Sequence, residues 1–338
     1  MAGRAAKWRG LKRSRLKGGM MSGSPASTVE EPKQVTFWPC NPLSYTTTKI
    51  VCYYNEVHLG DATGFIFKAA QRYALVTNWH VVSGRNPITG QALDRTTGCV
   101  PNRIKFHAAI ELDDETKRDL VHFREFILPL YGEDGEPLWL DAKEDDNQRD
   151  IAVVPLNPHV PELANDAADI RAIHGGKVTL EPGIDPRHRD IQFEDLKHFL
   201  PPVGAEVFVL GYPKGITPNG IFPIWKRASI ASEPQVGISL GDQDYEDAFY
   251  IDAMTNQGMS GSPVVYMART GDMMFTKDNI GVQVKNDEPF LVGVYAGRNG
   301  VSGLEGDLAL GRVWGVSLLE RIVMSGGKAQ LAFTLLPD

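Results

Sequence analysis

Asn256-Gln257-Gly258-Met259-Ser260-Gly261-Ser262-Pro263-Val264 is the stretch whose reading decides the fold. A serine lies between glycines at a tight bend, and the apolar run Pro263-Val264-Val265-Tyr266 follows at once. Such a bend presents a hydroxyl at a strand end. Glycine at 258 allows a backbone conformation that a side chain would forbid. The amides of Gly258 and Ser260 can then converge on one point, as an oxyanion hole requires. Ser262 has the same chemistry but lacks the preceding Gly-x that builds such a hole. Alone, the stretch also fits ordinary turn chemistry between two strands.

Two further segments decide between these readings. Tyr73-Ala74-Leu75-Val76-Thr77-Asn78-Trp79-His80-Val81-Val82 is an apolar strand that delivers a histidine at its end; of eight histidines, only His80 has this setting. Downstream, Asp150-Ile151-Ala152-Val153-Val154-Pro155-Leu156 puts a carboxylate directly before a strand of buried type. Asp141, Asp145 and Asp146 compete for the same role, but only Asp150 abuts that strand. A serine hydroxyl needs a base within hydrogen-bond reach, and the base needs a third group to fix its tautomer. His80, Asp150 and Ser260 supply those three roles in that order. An α/β-hydrolase elbow does not fit: position 262 breaks Gly-x-Ser-x-Gly, and no histidine follows Ser260.

On these motifs the chain resembles trypsin-like, chymotrypsin-fold serine peptidases, closest to the bacterial HtrA-like and Glu-endopeptidase-like branches. Thr63-Gly64-Phe65-Ile66-Phe67 is similar to the strand before their histidine. Val76 to Val82, Asp150 to Val153 and Ile251 to Pro263 are similar to their histidine, aspartate and serine motifs. Leu210-Gly211-Tyr212-Pro213-Lys214-Gly215 falls where those branches carry a Gly-x-Pro-x-Gly turn. The resemblance spans roughly residues 45 to 325 and leaves no room for a PDZ domain after it. It implies two six-stranded Greek-key β-barrels, with His80 as general base, Asp150 orienting it, Ser260 as nucleophile, and the Gly258 and Ser260 amides as the oxyanion hole.

The composition agrees with an all-β class. The chain has 34 glycines and 22 prolines among 338 residues, and its apolar runs are short. Strands are expected at 49–54, 64–68, 74–77, 103–108, 126–130 and 151–156 in the first half. In the second half they are expected at 206–210, 224–231, 248–252, 262–266 and 290–295. One helix is expected at 316–324, from the spacing of Val316, Leu319, Ile322 and Val323. The chain divides into a flexible basic tail (1–44), a first lobe with the inter-lobe connection (45–200), and a second lobe with the helix (201–338). The long interval between His80 and Asp150 predicts extra structure over 112–148, around a hairpin at Asp134-Gly135. The connection 157–202 is rich in proline and charge, and its histidines (His159, His174, His188, His198) have no recurring ligand spacing.

Other classes are disfavoured. Cys40, Cys52 and Cys99 are too few for the disulfide framework of secreted animal enzymes. No cysteine pair has zinc spacing and no His-Glu-x-x-His occurs, so no metal and no cofactor are expected. No apolar run approaches the roughly 18 residues of a membrane span. The first 17 residues hold seven basic and no acidic groups, without an apolar core behind them, so they do not read as a secretory signal. A cytoplasmic location follows, with organelle targeting by that basic arm as the alternative. Net charge is −7; removing the +7 of the arm leaves −14 on the remainder, which argues against nucleic acid as a partner. The expected partner is a protein or peptide substrate.

By resemblance, the residue six before the nucleophile forms the base of the primary specificity pocket. Here it is Met254, not an aspartate, which disfavours a demand for arginine or lysine. Tyr295, Ala296 and Gly297 fall on the expected pocket wall that pairs with substrate backbone. Glutamate-specific relatives carry a histidine where Tyr295 stands; Arg298 is the remaining group able to reach an acidic side chain. The sequence therefore reads as a serine endopeptidase preferring small or medium apolar residues before the scissile bond. The alternative is a catalytically silent fold that binds peptides. The basic, glycine- and serine-rich leader has no apolar periodicity with which to pack. Deleting residues 1–30 should therefore leave solubility and the turnover of a small peptide substrate unchanged; an insoluble or inactive truncated chain would contradict this.

Overall fold

The computed structural model describes residues 33–35, 40–69, 72–112, 121–144, 147–158, 168–170, 172–174, 180–182, 200–240, 243–275, 281–298 and 310–325. Strands form where β-branched and aromatic residues fill short runs bounded by turn residues. In the first lobe, ten strands make one sheet. Its path runs Lys33–Val35, Val121–Pro129, Arg103–Leu112, Thr47–Tyr54, Val57–Ala69, Arg72–Thr77, Asn147–Pro155 and Leu140–Glu144. The short strands Ala168–Ile170 and Ile173–His174 add to Arg103–Leu112 and Val57–Ala69. In the second lobe, six strands close a barrel in the order Glu206–Gly211, Ile224–Ile230, Ala248–Asp252, Leu310–Gly315, Glu288–Arg298 and Pro263–Ala268. This is the all-β, chymotrypsin-like class expected from sequence, with short edge strands enlarging the first lobe. The helix Val316–Ser325 follows the last barrel strand, one residue longer than expected.

The strands flanking the histidine and aspartate motifs are apolar on both faces, and the packing explains why. Ile66, Leu75, Ala152 and Val154 face the interior of the first lobe, with Ile50, Ile104 and Leu130. Phe65, Phe67, Val76, Ile151 and Val153 face the other way. They pack on Leu210, Val265, Val294 and Trp314 of the second lobe and on Leu318, Leu319 and Ile322 of the helix. A strand buried on both faces reads as a continuous apolar run, not an alternating one. The second lobe has its own interior, including Val207, Val209, Ile251, Val264 and Val313.

Within the 112–148 interval, Gly135 adopts φ +78° and its amide bonds the Gly132 carbonyl at 3.0 Å. Tyr131 bridges Pro137 across this turn, where the hairpin is expected. The three cysteines are free thiols; burial first, then the charge of Asp61, pushes the Cys52 thiol up to about 12. Among the described residues, no helix is long and apolar enough to cross a membrane. Of the expected 1–44 tail, residues 1–32 and 36–39 lie outside the described residues, as do His159, His188 and His198, whereas Lys33–Val35 pairs with Val121–Pro129 and Pro42–Thr46 forms a short helix with Leu43 buried.

Tyr212 ties the lobes together. Its ring is 1% exposed, and its hydroxyl lies 2.9 Å from the Thr47 carbonyl and 2.8 Å from that of Ile221. Its amide donates to Thr63 Oγ1 at 3.1 Å. Replacing Tyr212 with phenylalanine removes a buried donor while keeping the ring. The expected loss is about 1–3 kcal/mol of unfolding free energy. Urea denaturation followed by tryptophan fluorescence measures it, and an unchanged midpoint would show that the hydroxyl contributes nothing.

Candidate active site

His80 follows the strand Arg72–Thr77 and sits in a short helical turn, Trp79–Ser83. Gly84 ends that turn at φ +65°, its amide bonded to the His80 carbonyl at 3.0 Å. A side chain at 84 would meet Pro101 Cδ at 2.5 Å, so the turn requires glycine for space as well as for φ. Asp150 lies on the neighbouring strand Asn147–Pro155, which pairs antiparallel with Arg72–Thr77. Asn78, fully buried, donates from Nδ2 to the Asp150 carbonyl at 2.7 Å and fixes the aspartate's backbone beside the turn.

The imidazole and the carboxylate meet closely. His80 Nδ1 lies 2.9 Å from Asp150 Oδ1 and 2.8 Å from Oδ2. The His80 backbone amide also donates to Asp150 Oδ1 at 3.0 Å. Asp150 is 1% exposed, and its carboxylate can only accept. Nδ1 therefore carries a proton, and in the neutral ring Nε2 is left as the acceptor. Burial pushes the Asp150 carboxyl up, but the adjacent His80, its hydrogen bonds and the Arg312 guanidinium outweigh it and hold the group below the usual carboxylate range. Asp145 and Asp146 lie outside the described residues.

Ser260 is partly exposed on the loop before the strand Pro263–Ala268. Its carbonyl accepts from the Thr63 amide at 2.9 Å, and the Thr63 carbonyl accepts from Thr77 Oγ1 at 2.8 Å, three residues before His80. The serine loop is thus tied to the strand that delivers the histidine. Gly261, at φ +84°, would drive a side chain to 2.2 Å from the Thr63 carbonyl oxygen and 2.3 Å from Thr77 Oγ1, so only glycine permits this approach. Ser262 is fully buried, and its hydroxyl has no hydrogen-bond partner among the described residues. It is sealed against Gly211, where a Cβ would lie 2.2 Å from its Oγ.

Gly258 takes φ +94°, and its Cα faces the Tyr212 carbonyl so closely that a Cβ would lie 2.4 Å from it. The Gln257 carbonyl accepts from the Lys214 amide at 2.6 Å. A trans peptide points its C=O and N–H in opposite directions, so the Gly258 N–H faces away from Lys214. Among the described residues, neither the Gly258 nor the Ser260 amide has a hydrogen-bond partner. Sequence reading did not single out Thr63 or Lys214; both stood in quoted motifs but carried no pattern beyond strand and turn.

Tyr295 is 1% exposed on the strand Glu288–Arg298, and its hydroxyl is hydrogen-bonded to Thr255 Oγ1. Its ring lies on Gly311, where a Cβ would come within 2.4 Å of Tyr295 Cε2. Between Tyr295 and Arg298 the pairing with Leu310–Gly315 slips, leaving Ala296 and Gly297 at an irregularity. Gly297 lies beside the serine: a Cβ there would be 4.0 Å from Ser260 Oγ. Met254 is not where the motif count places it. Its side chain is 75% exposed, whereas Thr255 is 1% exposed. The extended segment after Asp252 alternates, turning Ala253 and Thr255 inward and Met254 out. The Arg298 side chain lies outside the described residues. Among the described residues, no group of three or more His, Cys, Asp or Glu side chains is placed to hold a metal ion.

The family model described as the trypsin-like peptidase domain matches residues 62–273. The chain belongs to that family and is a serine peptidase of the trypsin-like class. No curated protein matches it significantly. Solved structures similar to it include the active form of the Rv3671c protease from M. tuberculosis, at 17% identity and TM-score 0.37, covering 93% of this chain and 96% of that one. Deg5 is similar at 14% identity and TM-score 0.39, over 85% of this chain and 92% of that one. The serine endoprotease from Yersinia pestis is similar at 11% identity and TM-score 0.36, over 84% and 63% respectively.

The state of Asp150 has a consequence for acid stability. A carboxyl held low in the folded chain titrates near ~3.9 once unfolded. Its contribution to stability is fully present above that unfolded value and is lost as pH falls from there through the folded value. The urea midpoint of the wild-type chain should drop through this window more steeply than that of Asp150→Asn. Parallel midpoint-versus-pH curves would contradict the assignment.

Proposed function

We propose that the chain is a serine endopeptidase in which His80, Asp150 and Ser260 act as the catalytic triad. The observation that carries this reading is the paired approach of His80 Nδ1 to the buried Asp150 carboxylate. Ser260 Oγ attacks the peptide carbonyl carbon, and its proton passes to His80 Nε2. Asp150 holds the ring in the required tautomer and stabilises the imidazolium. The Gly258 and Ser260 amides receive the carbonyl oxygen as it becomes an oxyanion. Collapse breaks the C–N bond, and the leaving amine takes the proton from His80. Water then enters, gives a proton to Nε2 and attacks the acyl carbon, and Ser260 recovers its proton as the acid departs.

The substrate preference that fits this site is a small or medium apolar residue before the scissile bond. The Tyr295 ring and its bond to Thr255 occupy the space that a deeper pocket would need, and no charged side chain among the described residues of that wall awaits a charged substrate. A charged residue carried there would lose hydration without a partner. Ala296 and Gly297, at the slipped pairing, offer backbone groups to an extended substrate.

Ser260→Ala and His80→Ala should each lower kcat by about 10⁴-fold or more, and Asp150→Asn by about 10⁴-fold. A positional scanning peptide library should show alanine, valine, leucine or methionine ahead of lysine, arginine and glutamate, with graded selectivity, since one methylene is worth only about 1–3 kcal/mol. A Ser260→Ala protein that keeps a tenth of wild-type activity would remove the nucleophile assignment. Strong cleavage after arginine or lysine would remove the pocket assignment.

A further inference from the structure

We propose that Thr63 is a positioning residue for the oxyanion hole, acting across the lobe boundary through its side-chain hydroxyl; this rests on the triad reading above. Four consecutive peptide planes around the serine are each fixed by their carbonyl. The Gln257 carbonyl is held by the Lys214 amide at 2.6 Å, and the Gly258 carbonyl by Thr63 Oγ1 at 2.7 Å. The Met259 carbonyl is held by the Ser262 amide at 3.1 Å, and the Ser260 carbonyl by the Thr63 amide at 2.9 Å. Because each peptide is planar and trans, fixing a carbonyl also fixes the direction of the N–H that follows it. Thr63 grips two of the four planes, and it comes from the other lobe.

The hydroxyl does this with both of its functions. It donates to the Gly258 carbonyl and accepts from the Tyr212 amide at 3.1 Å. Thr63 is fully buried, so no water replaces either bond. The Tyr212 amide belongs to the same turn as Lys214, which grips the Gln257 carbonyl. One hydroxyl therefore links the two clamps on either side of the Gly258 amide. Without it, the peptide between Gly258 and Met259 keeps only the 3.2 Å bond of its Met259 amide to the Asn256 carbonyl, and the turn that carries Lys214 loses its tether at the Tyr212 amide, so the clamp on the Gln257 carbonyl that aims the Gly258 N–H is loosened. The lost quantity is transition-state stabilisation, because the ground-state carbonyl depends far less on that donor.

The test compares Thr63→Val, which keeps the shape and removes the hydroxyl, with Thr63→Ser, which restores it. The assays are hydrolysis of succinyl-Ala-Ala-Pro-Ala-4-nitroanilide and the rate of labelling by a fluorescent fluorophosphonate, whose phosphoryl oxygen needs the same two amides. Thr63→Val should lose about 10- to 100-fold in kcat and in labelling rate, less than deletion of a donor outright, with KM within about threefold of wild type. Thr63→Ser should recover most of that loss. Should the valine variant fail to fold, Thr63→Ala carries the same expectation. A valine or alanine variant with wild-type kcat, a loss confined to KM, or a serine variant as impaired as valine would overturn the proposal. Labelling of the wild-type chain and of Ser260→Ala separates the two readings. If the wild type is not labelled at Ser260, the triad reading fails and this proposal with it. If the wild type is labelled and Thr63→Val is labelled equally fast, only the positioning role fails.

Discussion

A carboxylate removed from water beside an imidazole is the constraint around which this molecule is organised. Burying an unpaired carboxylate costs several kcal/mol, and the cost is offset only by hydrogen bonds and opposing charge in fixed places. Asp150 obtains them from three directions. His80 approaches with its ring and its backbone amide. Asn78 holds the aspartate's own backbone. The second lobe contributes the positive charge of Arg312, itself 9% exposed and set 5.4 Å from the Trp314 ring. Trp314 is 1% exposed and packs in the cluster that joins the two lobes and the terminal helix. The carboxylate's surroundings are therefore complete only when the lobes are docked, and docking of the lobes is coupled to the state of the site.

The same coupling appears at the serine loop, in backbone terms. Gly211, Gly258 and Gly261 are places where a Cβ would come within 2.4 Å of an atom from a distant part of the chain. Each is a point of close approach, where absence of a side chain lets one segment seat against another. Together with the hydrogen bonds of Thr63, they bring the serine loop of one lobe onto a strand of the other. Hydrophobic burial along the seam supplies the non-directional attraction; the glycines and Thr63 set the register at which it stops.

Much of this was legible in the sequence where a pattern had a single physical cause. The aspartate was distinguishable from its neighbours because only Asp150 precedes a strand apolar on both faces, and that strand turned out to be buried on both. The barrel strand Leu310–Gly315 was not legible, although the barrel does not close without it. Gly311, Arg312 and Gly315 break its apolar pattern, and Gly311 is there because the Tyr295 ring occupies its side-chain space. Met254 was misplaced because counting back from the nucleophile ignores the local alternation, which turns Thr255 inward instead. Thr63 reads in sequence as one more β-branched strand residue; its partners lie 149 and 195 positions away, and no local pattern encodes them.

Ser260 and Ser262 show what separates a candidate nucleophile from a spectator of the same chemistry. Both hydroxyls are intrinsically poor nucleophiles, and they stand two residues apart. Their difference lies in the backbone. The Ser262 amide is consumed by the Met259 carbonyl, and its side chain is enclosed against Gly211. The Ser260 amide has no partner among the described residues, with its carbonyl held by Thr63 and its hydroxyl beside Gly297. The bond that occupies the amide of Ser262 also fixes the Met259 carbonyl, and through that planar peptide it sets the direction of the Ser260 N–H. On the proposed reading, Ser262 is therefore not merely a bystander: its backbone aims the N–H assigned to the oxyanion, so the proposed roles of the two serines follow from one arrangement of peptide planes.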